Sequence, residues 1–84
     1  MNIRVTNDQK KMLLTVMKYY SWKGEINFDM NPNFILVKFA SEDDAIDLRE
    51  LCSDYLLEIG FDDKYVANDK GLLLENLIDK LYVE

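Results

Sequence analysis

The 84-residue sequence has no histidine, one cysteine, one proline and three glycines. Without histidine there is no Ser-His-acid triad, no imidazole general acid or base, and no histidine metal ligand. A single cysteine without histidine cannot build a structural zinc site. Cys52 alone cannot close an internal disulfide, so the chain does not read as a secreted, disulfide-stapled protein. Neither G-x-G-x-x-G nor a Walker loop occurs, so no phosphate cradle and no cofactor is signalled. The opening run MNIRVTNDQKK lacks the continuous apolar stretch of a signal peptide. The longest apolar runs are of FILV or GLLL scale, far below the roughly 18 residues of a membrane span. A cytoplasmic location is the expectation.

Positive charge is also scarce. Ten Lys and Arg face sixteen Asp and Glu, for a net charge of −6 and an isoelectric point near 4.5. Such a chain is poorly suited to nucleic-acid phosphates, which need clustered cations, or to anionic membranes. A basic protein surface as partner, or no charged partner, is what the charge favours.

Apolar residues and aromatics are plentiful: 49% of the chain is hydrophobic, with five Tyr, four Phe and one Trp. Disordered chains lack that content. The length suits one globular domain over residues 1–84, burying roughly 60–65% of its unfolded surface. No repeat, linker or low-complexity tract divides it.

Hydrophobic spacing sets the element order. Ile3 and Val5 share one side of a short extended segment. Thr6 or Asn7 caps a first helix with Asp8 in its first turn. Met12, Leu13, Val16, Met17 and Tyr20 form its apolar face, and Gly24 is expected to stop it. Ile26, Phe28 and Met30 then alternate with polar residues, the period of a half-buried strand. Asn31-Pro32-Asn33 reads as a turn. FILVKFA is almost continuously apolar, which suits a central strand covered on both faces. Ser41 caps a second helix with three acids in its first turn, ended by Gly60. FDDKYVA connects it to a third helix, capped by Asn68 or Asp69. The apolar face of that helix comprises Leu73, Leu74, Leu77, Ile78, Leu81 and Tyr82. The fold class is therefore α+β: a small two-layer domain of order β-α-β-β-α-α, with a short antiparallel hairpin over about residues 25–40 packed against three helices. The rival is a three-helix packing with an appended hairpin and no first strand.

Four local candidates carry the bland explanation better than the chemical one. DMNPNF resembles the start of a calcium loop, but Phe34 stands where glycine is required and Ala40 where the bidentate Glu belongs. Asp43 and Asp47 are too few ligands for a magnesium site without a phosphate substrate. Cys52 lies on the apolar side of its helix among acidic neighbours, the setting of an inert core thiol rather than a nucleophile. KYYSWK interleaves aromatics with lysines, as base-stacking surfaces do. Sealing of the helix end by Tyr20 and Trp22 is the preferred reading, and no catalytic residue is assigned.

The charge map is uneven. Residues 41–63 hold nine acids and one base, whereas residues 1–24 hold one acid and five bases. At 100° per residue, Asp43, Asp47, Glu50, Asp54 and Glu58 fall within an arc of about 80°. Leu48, Cys52, Tyr55 and Ile59 lie opposite. Leu51 borders the arc on one side, with Ile46 and Leu57 on the other. Four successive like-charge pairs cost roughly 1–2 kcal/mol, reduced by salt. Lys11 or Lys18 from the first helix are the candidates for neutralising part of the stripe. Two readings of the stripe compete: the last wet strip of an otherwise buried helix, kept acidic for solubility, or a docking edge for a basic partner. Two functional expectations follow. The leading one is a small non-enzymatic binding protein of inhibitor, immunity or antitoxin type. It engages a basic, nucleic-acid-binding protein surface through this stripe and its apolar borders. The alternative is a structural, self-associating homodimer with no charged-ligand role, suggested by Leu72 and Val83 outside the third helix's apolar arc.

Overall fold

The alternating and helical patterns resolve into six elements in the computed structural model, which describes residues 2–59 and 68–82. These are β1 (Asn2–Val5), α1 (Asn7–Tyr19), β2 (Ile26–Met30), β3 (Ile35–Phe39), α2 (Glu42–Ile59) and α3 (Asp69–Lys80). The order is β-α-β-β-α-α. The strands form one antiparallel sheet, β1-β3-β2, with β3 in the centre. The pairing of β1 with β3 excludes the three-helix rival and makes the hairpin part of a three-stranded sheet.

Register explains the layering. Ile3, Val37 and Phe28 stand in one cross-strand row, and Val5, Ile35 and Met30 in the next. Side chains of paired residues point to the same face. That face meets the helices in one core of Ile3, Val5, Val37, Met12, Leu13, Val16, Ala45, Leu48, Cys52, Leu74, Leu77 and Leu81, among others. Five of its leucines, at 13, 48, 74, 77 and 81, are fully buried. Each such burial stabilises the fold by roughly 1.5–3 kcal/mol.

The central strand departs from expectation. Only the helix-facing side of β3 is covered. Lys38 on the other side is exposed and Leu36 half-buried. A lone antiparallel sheet packed on one helical layer needs only one apolar face. Lys38 Nζ pairs with Asp29 at 3.5 Å on that open side.

Helix α1 begins with a capping box. Thr6 Oγ1 accepts from Gln9 N at 3.2 Å, and Gln9 Oε1 accepts from Thr6 N at 2.9 Å. The helix ends at Tyr19, before the expected stop at Gly24. Trp22 N donates to Met17 O and Ser21 N to Lys18 O. With Ser21 at φ 52°, this is a Schellman arrangement with serine in the left-handed position usually held by glycine. Gly24 serves a different need, because a β-carbon there would overlap the Trp22 indole.

In α3 and at its C-cap, Leu74, Leu77 and Leu81 are buried and Leu73 and Ile78 pack against the core, as their spacing implies. Tyr82 does not join them. It is largely exposed, with the Arg49 guanidinium 5.2 Å from its ring centroid. Gly60, FDDKYVA and Val83 lie outside the described residues.

Candidate functional site

Helix α2 is oriented by both of its ends. Ser41 Oγ accepts from Asp44 N at 3.2 Å, the N-cap bond that its sequence position implies. Asp44 Oδ2 in turn accepts from Glu25 N at 3.3 Å, tying the first turn to the hairpin. At the other end, Asn68 Nδ2 donates to Ile59 O at 2.8 Å, while Asn68 Oδ1 accepts from Gly71 N at 2.8 Å. One asparagine thus satisfies the last carbonyl of α2 and a free amide in the first turn of α3.

With the helix so fixed, Leu48 and Cys52 are fully buried and Tyr55 and Ile59 pack on the core. Asp43, Asp47, Glu50, Asp54 and Glu58 are all exposed along the opposite side. The two borders differ. Ile46 is 40% and Leu57 76% exposed, so one margin of the stripe is open and apolar. Leu51, expected on the other margin, packs partly buried against the core and offers little surface.

No carboxylate of the stripe has an ion-pair partner among the described residues. Among the described residues, the only Lys or Arg within 4.0 Å of a carboxylate is Lys38, at Asp29, so neither Lys11 nor Lys18 forms an ion pair with the stripe. Arg49, the single base of α2, is turned away: its Nε donates to Ile78 O at 3.2 Å.

The C-terminal end of the stripe meets an aromatic group that the sequence did not join to it. Tyr19, Tyr20 and Tyr55 form a triangle with ring centroids 4.9, 5.1 and 6.3 Å apart. The Glu58 carboxylate beside the Tyr19 hydroxyl, through hydrogen-bonding interaction and then charge, raises the pKa of that phenol. Burial, followed by the charges of Glu58 and Asp54, raises that of Tyr20. Tyr19 is 57% exposed and continues the surface beyond Glu58. Its membership depends on how α1 packs beside α2, which no periodicity within either helix encodes.

The remaining candidates fall on the bland side. Tyr20 and Trp22 of KYYSWK pack against the core. Residues of DMNPNF make the hairpin turn, with Asn31 N donating to Phe34 O at 3.0 Å and Asn31 Nδ2 to Asp29 O at 3.3 Å. Burial pushes the Cys52 thiol up to about 12, the opposite of what a nucleophilic cysteine needs.

The chain matches no protein-family model, and comparisons with curated proteins and with solved structures found no significant similarity. Among the described residues no helix is long and apolar enough to cross a membrane.

Proposed function

We propose that the protein is a non-enzymatic binding protein, of inhibitor, immunity or antitoxin type, whose α2 stripe docks on the basic, nucleic-acid-binding face of another protein. The carrying observation is the row of five exposed carboxylates with no cation in ion-pairing reach among the described residues. Like charges at helical spacing oppose one another in the free protein. Lysines and arginines of a partner would relieve that repulsion on binding, and opposite charge would steer the encounter. Ile46 and Leu57 supply apolar area at the open margin, as interface cores require. A reducing cytoplasm fits a chain whose one cysteine is a free, buried thiol.

Affinity capture from the native host at low salt tests this. The wild-type chain is expected to retain a protein with a basic ligand-binding face. The variant Asp47→Lys, Glu50→Lys, Asp54→Lys, checked for folding by circular dichroism, is expected to lose it. Equal retention of that protein by the folded variant contradicts the reading.

Self-association is the second reading, favoured by Leu72, which is 51% exposed on α3. It requires a concentration-dependent dimer in sedimentation at low salt. A strict monomer at high protein concentration eliminates it.

A further inference from the structure

The second charged feature of the molecule has the opposite sign. An open cleft of about 420 Å³ lies where the β1–α1 junction meets the hairpin turn, and its lining includes Arg4, Asn7, Asn31, Asn33, Phe34 and Lys80. That volume lies within the roughly 300–1,000 Å³ typical of small-molecule sites.

No carboxylate is among its described lining residues. Asp8, the acid of the first turn of α1, lines a separate groove with Lys11, Asp69 and Lys70. In a chain of net charge −6, a cleft whose described lining holds two cations and no anion stands apart.

Among the described residues, both cations are positioned without an ion-pair partner. Lys80 Nζ donates to Arg4 O and to Gln9 Oε1, each at 2.8 Å. Both acceptors are uncharged. An ammonium has three donors, so one N–H and the full charge remain. The Arg4 guanidinium lies 4.4 Å from the Phe34 ring centroid. Such a cation–π contact holds the guanidinium at the cleft without using any of its N–H donors. Among the described residues neither cation has a carboxylate within 4.0 Å. The side-chain amides of Asn7 and Asn33 add neutral donors to the same lining.

We infer that this cleft binds the phosphate group of a small anion, with Arg4 as the forked donor and Lys80 as the fixed point charge. A guanidinium fork matches phosphate oxygens in pairs, and an ammonium serves as its compact companion. This site is independent of the α2 stripe and stands or falls without it.

The test is a backbone-amide NMR titration of the full chain with inorganic phosphate and, separately, phenyl phosphate, against chloride at matched ionic strength. Saturable shifts at Val5, Thr6, Asn7, Asn33 and Phe34 are expected with a phosphate and not with chloride. Tighter binding of phenyl phosphate assigns the site to an organic phosphate, and equal affinity assigns it to the free ion. Arg4→Gln should weaken binding about tenfold or more, the value of a hydrogen bond to a charged group. Arg4→Lys should restore part of it. Arg4 is exposed and its carbonyl, which Lys80 uses, is untouched by either change. Absence of saturation with both phosphates, equal shifts with chloride, or wild-type affinity in folded Arg4→Gln overturns the inference.

Discussion

Cys52 is a small apolar side chain whose proton is held by burial. Its thiol moves from an ordinary 9.0 to about 12 because desolvation penalises the thiolate. The sign of the pH effect follows. Below about pH 9 both folded and unfolded states keep the proton, and the stabilisation is complete. Above it the unfolded chain ionises while the folded chain does not, so stability declines as pH rises toward the folded value. Tyr19 and Tyr20 are raised from 10.0 and act in the same direction. Urea unfolding at about pH 8 and about pH 11 should therefore show a lower midpoint at the higher pH. Cys52→Ala should be less stable at the lower pH, through lost packing, but should decline less between the two. An equal decline in both proteins would remove Cys52 from the account. The burial of this thiol was legible in the sequence, because its helical position among Leu48, Tyr55 and Ile59 is a local matter.

At the scale of elements, caps and periods were readable where the signal is local. Ser41 and Asn68 fall where their side-chain chemistry places them. TNDQ also carries the capping box, whose glutamine three residues after threonine is a sequence-level signature. The misplaced end of α1 has a physical cause. Glycine is the usual left-handed terminator, and the chain uses Ser21 there, three residues before Gly24. Tyr82 was assigned to the core by its angle on α3, yet it lies past the last buried leucine and stacks outward on Arg49. Asn68 has a double role that sequence shows only by half: the cap is legible, whereas the bond to Ile59 O needs α2 and α3 docked together. Asn68→Ala removes both bonds and should cost about 1–2 kcal/mol in urea unfolding. Asn68→Asp keeps the acceptor for Gly71 N and should fall between alanine and wild type. A variant as stable as wild type would deny Asn68 its part in joining the helices.

Over the whole molecule, the sequence carried the fold class and the acidic arc, because both arise from periodicity. It did not carry what surrounds that arc. The closure of the Leu51 margin, the tyrosines beside Glu58 and the outward turn of Arg49 toward α3 are all products of packing between elements. The phosphate cleft is of the same kind: Arg4 and Lys80 are 76 positions apart in sequence and meet only through the tertiary bond from Lys80 Nζ to Arg4 O. The described surface is therefore electrically divided, with an unneutralised acidic helix face and a separate basic cleft. The central claim concerns the first. It is tested most directly by the affinity of the captured partner for the wild-type chain and for the Asp47→Lys, Glu50→Lys, Asp54→Lys variant across a salt series. The wild type should bind more weakly as salt rises, and the folded variant should bind far more weakly at low salt with that dependence lost. Equal affinity and equal salt dependence in the two proteins would contradict the claim.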